Sequence, residues 1–312
     1  MALSRRDIVG RCLLLAAAGV VVPPFAMPAF AMNEKVYLDY TRDELDRALD
    51  QKLHAPDWRE MVGVYEQASA VARERLKPVE ENYGPETLDF YRAARPDAPL
   101  MIMLHGGGWR MMGRRDVAYA ASTFLDAGIA YAAPSYGLLP ATSVREMAAR
   151  CRQAVVWAHA NAVRLGIDPA RIHVGGMSAG GHLAGVLLAT DWARLGLRRG
   201  AVAGGVLVSG IFDVAALAAS TVYGYTALTA EDIAALSPIR RVGEITAPAL
   251  VAWGDREPPE FARQSEAFLA ELRKAGKQCT GLRVEHRTHF QIALDLRDPD
   301  SALAKAALGL IL

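Results

Sequence analysis

Cysteine is scarce in this chain of 312 residues, which contains only Cys12, Cys151 and Cys279. These three and the seven histidines do not follow the spacing of a zinc site. Charge of one sign is also scarce, since the formal net charge is +1 and no dense Lys/Arg stripe of the kind that binds phosphates is present. We therefore expect no metal and no nucleic-acid partner, and nothing in the sequence demands a disulfide between Cys151 and Cys279.

The rest of the composition is that of an ordinary globular protein. Hydrophobic residues make up 52% of the chain and charged residues 22%, which is enough apolar material for a full core. The length suits one large α/β domain. We find no internal repeat and no low-complexity tract.

The first 31 residues have the pattern of an export signal. Ser4-Arg5-Arg6 precedes an apolar stretch over residues 12–22, and Ala29-Phe30-Ala31 supplies an A-x-A cleavage site. The stretch is shorter than the roughly 20 residues that a membrane span needs, so we expect no stable membrane anchor. The arginine pair resembles a bacterial twin-arginine signal, with general secretion and an uncleaved amphipathic helix as alternatives. The pattern predicts an exported protein, periplasmic or secreted.

Strands alternate with helices along residues 32–312, which predicts a single α/β domain with a mostly parallel sheet flanked by helices. The predicted strands cover residues 88–91, 99–104, 129–133, 172–175, 202–209, 249–253 and 282–285, and the predicted helices cover residues 116–127, 144–165, 181–190 and 259–275. Residues 32–85 show no strand alternation and are interpreted as a helical cap or arm. Residues 212–248 are too long for a plain connection and are interpreted as an insertion over the carboxyl edge of the sheet, where pockets form.

The segment Gly176-Met-Ser-Ala-Gly180 is the most informative motif. It places Ser178 between a predicted strand and a predicted helix, with glycines two residues away on each side. This pattern is typical of a nucleophile elbow, a strained tight turn in which only small neighbours avoid a clash. A Gly/Ser-rich turn without chemistry is the alternative.

A serine hydroxyl needs a histidine base and an acid that orients the base. Because the order on such a fold is serine, acid, histidine, the base lies beyond Ser178. Three histidines follow the serine: His182, His286 and His289. His182 belongs to the elbow helix and faces away from the direction of approach, and His286 ends a strand. His289 lies in the next loop, at the edge where the serine emerges, and is the predicted base.

The acid is expected in the loop after the strand of residues 249–253. Two carboxylates compete there, because Gly-x-x-acid spacing favours Glu257 whereas Asp255 lies nearer the strand. Asp255 can also shape the turn, and Glu260 can favour the first turn of the following helix. We predict Glu257 and keep Asp255 as the alternative.

The oxyanion of an acyl-transfer intermediate needs hydrogen-bond donors aimed at it. Backbone N–H groups serve if the chain passes very close to the substrate, which requires residues without side chains. The segment His105-Gly-Gly-Gly108 follows a predicted strand and meets this need, with the N–H of Ala179 as the other donor.

Together these motifs resemble the α/β-hydrolase family, in the branch shared by hormone-sensitive-lipase-like esterases and arylformamidases (kynurenine formamidases). The resemblance covers essentially all of the chain after the signal and rests on the following segments: His105-Gly-Gly-Gly-Trp109, Ser135-Tyr136, Asp168-Pro-Ala-Arg-Ile172, Gly176-Met-Ser-Ala-Gly-Gly-His-Leu183, Ser209-Gly-Ile-Phe-Asp213, Ser237-Pro238, Glu257-Pro-Pro-Glu-Phe-Ala-Arg-Gln-Ser265 and Thr288-His-Phe290. It implies an α/β-hydrolase fold, Glu257 as the acid, His289 as the base, and an oxyanion hole formed by Gly107, Gly108 and Ala179.

The expected function is that of a serine hydrolase without a cofactor, acting on a small ester or an activated amide such as an aryl formamide. A non-catalytic ligand-binding protein of the same fold is the alternative. The sequence does not give the oligomeric state. Candidate aromatic residues for the lining of the pocket are Trp109, Tyr136, Phe212, Tyr223 and Tyr225.

Overall fold

The structure, a computed structural model, describes residues 34–312. The predicted export signal, residues 1–31, and Cys12 lie outside this range. Within it, no helix combines the length and the apolar character that crossing a membrane requires.

The strands form one large sheet and one small pair. The small pair is antiparallel and consists of β1 (Lys35–Tyr37) and β2 (Tyr40–Thr41). The large sheet contains β3 (Val79–Asn82), β4 (Thr87–Tyr91), β5 (Ala98–Leu104), β6 (Ala130–Pro134), β7 (Ile167–Met177), β8 (Gly204–Val208), β9 (Ala249–Gly254) and β10 (Cys279–Val284). Its order is β10-β9-β8-β7-β5-β6-β4-β3, and all neighbours are parallel except at β4 and β3. The prediction of a mostly parallel sheet is confirmed.

The helices are α1 (Arg42–Leu49), α2 (Gln51–His54), α3 (Trp58–Leu76), α4 (Ala121–Asp126), α5 (Val144–Ala160), α6 (Ala162–Leu165), α7 (Ala179–Leu188), α8 (Ala215–Ala219), α9 (Ala230–Leu236), α10 (Pro259–Lys274) and α11 (Ala302–Ile311). Side-chain caps explain where several of them begin. Thr41 and Glu44 form a capping box at α1, and the hydroxyl of Ser143 accepts from the N–H of Glu146 at α5.

Both faces of the sheet are covered, which is why its central strands are continuous apolar runs. All residues of β5, β8 and β9 are buried. One core packs α1, α5, α7 and α10 against the sheet, and the other packs α3, α4 and α11 against the opposite face. The carboxyl ends of the parallel strands therefore meet at one edge, held between two rigid layers.

The N-terminal arm and one long helix differ from the prediction. Residues 32–85 are not purely helical, because they contain β1, β2 and β3. The pattern concealed β3 because it is an edge strand with the polar sequence Val-Glu-Glu-Asn, so no apolar alternation marks it. The predicted helix over residues 144–165 is two helices, α5 and α6, because the backbone leaves the helical conformation at Asn161, whose side-chain amide donates to the carbonyl of Trp157.

Cys151 lies buried on α5 and Cys279 lies on β10. Both thiols are free, so the two cysteines do not form a disulfide.

Candidate active site

Ser178 lies at the junction of β7 and α7 in a strained backbone conformation, with φ 56° and ψ −119°. A non-glycine residue with positive φ marks a conformation that the surrounding structure must enforce. Close packing around the neighbouring glycines keeps Ser178 in this conformation. A Cβ atom at Gly176 would lie 2.4 Å from the carbonyl of Gly180, and one at Gly180 would lie 2.1 Å from the carbonyl oxygen of Leu104. The tight turn thus depends on glycine at both positions.

Glu257 and His289 follow β9 and β10 at the same edge of the sheet, and their side chains are buried in contact. Nδ1 of His289 lies 3.1 Å from Oε2 of Glu257. The other carboxylate oxygen, Oε1, accepts from the N–H of Gly254 at 2.6 Å and from the hydroxyl of Ser209. These donors hold the carboxylate in place, and the carboxylate in turn fixes the imidazole with Nδ1 protonated.

The competing carboxylates have other partners. Asp255 is partly exposed, and its Oδ1 accepts from the N–H of Arg287 at 3.3 Å, so it shapes the turn between the two loops. Glu260 is fully buried and forms an ion pair with Arg263 at 2.7 Å. Within residues 34–312 neither carboxylate forms a hydrogen bond with His289. The geometry therefore favours Glu257 over Asp255.

The other two histidines that follow the serine have different hydrogen-bond partners. Nε2 of His182 lies 2.8 Å from the carbonyl oxygen of Leu236, and burial lowers the pKa of His182 to about 4. His286 is exposed, with Nδ1 lying 3.1 Å from Nη2 of Arg256. Neither imidazole forms a hydrogen bond with Ser178 in the part of the chain that the structure describes.

The second nitrogen of His289 has a partner that no sequence pattern predicted. Nε2 lies 3.0 Å from Nε2 of Gln51, the first residue of α2. In the described range, 34–312, no hydrogen bond joins His289 to Ser178. The imidazole also packs edge-on against two aromatic rings. The distance between ring centroids is 4.5 Å to Phe261 and 5.3 Å to Phe290.

The glycine loop after β5 presents free N–H groups beside the serine. Gly107 has φ 96° and Gly108 has φ 59°, and a Cβ atom at Gly107 would lie 2.1 Å from the carbonyl oxygen of Met111. Neither N–H donates to an acceptor elsewhere in residues 34–312. Ala179 is the first residue of α7, so its N–H also lacks an intrahelical acceptor.

A stacked pair of aromatic rings packs at the start of this glycine loop. The rings of His105 and Tyr136 lie 4.0 Å apart, and the Tyr136 hydroxyl donates to the carbonyl oxygen of His105 at 2.6 Å. Burial lowers the pKa of His105 to about 4, so this imidazole is neutral near neutral pH. Its place is therefore structural: it fixes where the glycine loop begins.

Ser178 opens into a cavity of about 420 Å³. Its walls come from the arm, the glycine loop and the insertion, and the lining residues are Asp50, Gln51, Lys52, Trp58, Val62, Gly107, Gly108, Arg110, Met111, Met112, Met177, Ser178, Val222, Tyr223, Tyr225 and Phe290. Four aromatic residues and three methionines make up seven of the sixteen lining residues, and Asp50, Lys52 and Arg110 add charged groups. Such a lining suits a small, largely apolar ligand.

The predicted aromatic lining was partly wrong. Tyr223 and Tyr225 line the cavity, but Trp109, Tyr136 and Phe212 are buried in the core. Trp109 packs edge-on to His182 at 5.3 Å, and Phe212 stacks on Phe268 at 4.4 Å.

The cavity also contains aromatic residues that the sequence analysis did not select as lining. Trp58 comes from the arm and Phe290 from the histidine loop, with ring centroids 6.5 Å apart. Phe290 had a signal in the sequence, since it follows the predicted base directly. Trp58 had none, because only the docking of the arm brings it to the cavity.

No group of three or more His, Cys, Asp or Glu side chains that could hold a metal ion lies within the described part of the chain.

Known proteins resemble this chain in sequence and in structure. A family model described as BD-FAE matches residues 88–195. A kynurenine formamidase of Danio rerio is 29% identical over 233 residues, which cover 72% of this chain and 78% of that protein. Esterase LipQ of Mycobacterium tuberculosis is 29% identical over 287 residues, which cover 73% of this chain and 66% of that protein.

Two solved esterase structures share the fold. An esterase of Pyrobaculum calidifontis superposes with a TM-score of 0.63 at 20% identity, covering 86% of this chain and 96% of its own. Esterase LipW of Mycobacterium marinum superposes with a TM-score of 0.65 at 20% identity, covering 82% of this chain and 87% of its own. The fold and the relatives define an enzyme of the hydrolase class.

The chain has the α/β-hydrolase fold, and in sequence it is similar to kynurenine formamidases and to esterases. That the relatives are enzymes favours hydrolysis over the alternative of a ligand-binding protein without catalysis.

Proposed function

We propose that this enzyme hydrolyses small carboxylic esters or activated amides through Ser178 as nucleophile, His289 as base and Glu257 as the acid that orients the base. The contact that carries the proposal is the one of 3.1 Å between His289 and Glu257 at the sheet edge where Ser178 emerges. The N–H groups of Gly107, Gly108 and Ala179 are the proposed oxyanion hole.

In the acylation step, Ser178 Oγ attacks the carbonyl carbon while Nε2 of His289 accepts the hydroxyl proton. The imidazolium that forms is stabilised by the buried carboxylate of Glu257. The carbonyl oxygen becomes an oxyanion, and each backbone donor that meets it is worth about 2.7–4 kcal/mol.

The acyl-enzyme then forms as the leaving alcohol or amine takes the proton from His289. In the second half, water attacks the carbonyl carbon of the acyl-enzyme and gives a proton to the same nitrogen. The bond between that carbon and Ser178 Oγ then breaks, His289 returns the proton to Oγ, and the carboxylic acid departs. All proton transfers use Nε2, because Glu257 holds the other nitrogen of the ring.

The cavity supports a small aromatic substrate. Its volume of about 420 Å³ is modest, and Trp58, Tyr223, Tyr225 and Phe290 offer ring faces and edges for an aryl group. Kynurenine formamidases among the relatives make aryl formamides one candidate class, and the esterases make aryl and short alkyl esters the other.

A substrate panel tests this proposal. Purified enzyme is assayed on p-nitrophenyl esters of increasing acyl length and, in parallel, on N-formylkynurenine. We expect activity on short acyl chains that falls steeply as the chain outgrows the cavity. Activity confined to long-chain esters would contradict the proposed substrate class.

We also propose that the enzyme is exported, on the strength of the arginine pair and the A-x-A site in residues 1–31. Expression of the full chain in a bacterial host, followed by fractionation, tests this. Activity is expected outside the cytoplasm, and replacement of Arg5 and Arg6 by lysine is expected to retain it inside if the twin-arginine route is used. Cytoplasmic activity of the unaltered chain would refute export.

A further inference from the structure

The arm places one polar side chain directly on the proposed base. Gln51 begins α2 and lines the cavity, and its Nε2 lies 3.0 Å from Nε2 of His289. This contact joins residues 238 positions apart in the chain. The mechanism described above does not use it.

The chemistry of the imidazole makes this contact consequential. Because Nδ1 carries the proton that faces Glu257, Nε2 of the neutral ring has a single lone pair and can only accept. A side-chain amide N–H of Gln51 donates to that lone pair. The hydroxyl of Ser178 must donate to the same lone pair for proton transfer, so the amide and the serine compete for it.

The backbone around Gln51 is anchored on both sides. Upstream, the carboxylate of Asp46 accepts from the hydroxyl of Ser220 at 2.6 Å and from the N–H of Thr221 at 2.9 Å. Downstream, the Tyr65 hydroxyl donates to the carbonyl oxygen of Phe290 at 2.8 Å. The arm is therefore fixed to the rest of the molecule near Gln51. Release of the base thus needs only a rotation of the Gln51 side chain, which turns about three bonds.

We infer that Gln51 is a positioning residue for His289: in the free enzyme its amide holds Nε2, and it yields the nitrogen to Ser178 when an acyl substrate fills the cavity. The inference rests on the proposed function. It gives the arm a role in setting the protonation of the base, beyond covering the cavity.

A donor on Nε2 favours the neutral imidazole, because the hydrogen bond is lost when that nitrogen takes a proton, so removing the donor should change how the rate depends on pH. Charged groups near His289 also affect how its reactivity depends on pH. Glu257 faces His289 from the β9–α10 loop, Asp50 and Lys52 line the cavity from the arm, and Arg110 lines it from the glycine loop. None of them is changed by a substitution at Gln51.

The test compares Gln51→Ala and Gln51→Glu with Gln67→Ala, which removes an exposed glutamine of α3 as a matched control. For each variant, the rate of inactivation by a fluorophosphonate probe and kcat/KM on p-nitrophenyl acetate are measured across pH. For Gln51→Ala we expect a higher kinetic pKa. Above that pKa we expect inactivation about fivefold faster, the size of one net hydrogen bond. Gln51→Glu is expected to raise the kinetic pKa further, since a carboxylate favours the imidazolium.

A purely structural role for Gln51 gives a different result. Activity and the midpoint of thermal unfolding would then fall together while the kinetic pKa stays at that of the Gln67→Ala control, and the inference would be overturned. Failure of the proposed function is distinguishable, because it appears as undiminished activity or labelling in a Ser178→Ala variant, whatever Gln51 does.

Discussion

The sheet edge and the N-terminal arm contribute to one cavity in different ways. At the edge, Ser178 and Glu257 are held by backbone: a strained turn fixes the first, and the N–H of Gly254 fixes the second. The arm contributes five residues to the lining of the cavity, among them Trp58 and Gln51, whose side chain contacts His289. We therefore expect catalysis to depend on the rigid sheet edge, and we expect selectivity and the state of the base to depend on the arm that docks onto it.

The largest expected effect is at the edge. Replacing Ser178 by alanine removes the proposed nucleophile, so kcat should fall on the order of 10³-fold or more. The midpoint of thermal unfolding should stay close to that of the parent, because only one oxygen is lost. Ester hydrolysis assays and a melting curve check both points. Near-parental activity in this variant would remove the serine from the mechanism.

The second prediction separates the two carboxylates of the acid loop. Glu257→Gln keeps the shape but loses the charge that stabilises the imidazolium, so kcat should fall on the order of 10²–10⁴-fold. Asp255→Asn is the matched control, since within residues 34–312 the N–H of Arg287 is the hydrogen-bond partner of the Asp255 side chain. A larger loss for Asp255→Asn would reverse the assignment of the acid.

The third prediction concerns the arm. Trp58→Ala removes ring area from the cavity wall and leaves the edge intact, so KM for aryl esters should rise about three- to tenfold with little change in kcat. Trp157→Ala removes a ring that does not line the cavity and serves as the control. If kcat fell for Trp58→Ala as steeply as for the edge variants, the division between edge and arm would be wrong.

The smallest effect is on stability. Burial lowers the pKa values of His105, His173 and His182 to about 4, and all three lie outside the arm. They are neutral when folded and protonate near their ordinary value of 6.5 when unfolded, so acid favours the unfolded state.

Their contribution to stability is complete above pH 6.5 and is lost as the pH falls towards 4. Melting curves over this range should show a falling midpoint, with a shallower fall in a His173→Gln variant. An unchanged slope in that variant would argue against a neutral buried His173.

The candidate residues at the edge were accessible from sequence because each of them follows a recognisable strand. Parallel strands send their carboxyl ends to one edge, so Ser178, Glu257 and His289 could be placed together without coordinates. The contact between Glu257 and His289 fits that placement. The catalytic roles of these residues stay predictions until the variants above are assayed.

The lining of the cavity could not be predicted in the same way. Trp109, Tyr136 and Phe212 lie in conspicuous motifs, yet their rings fill the core. Gln51 and Trp58 lie in an unremarkable polar helical stretch. Their place depends on contacts such as the one between Asp46 and Ser220, which join segments 174 residues apart.

Local sequence patterns predicted most of the strands and helices, the glycine-flanked serine and the two loops that follow β9 and β10. Each of these features depends on neighbours a few residues away. Only the tertiary structure decided which carboxylate contacts the histidine and which rings line the cavity. It also decided which side chain contacts the second imidazole nitrogen. Those features depend on side chains from distant segments packing within a few ångströms of one another, and local patterns do not encode such distances.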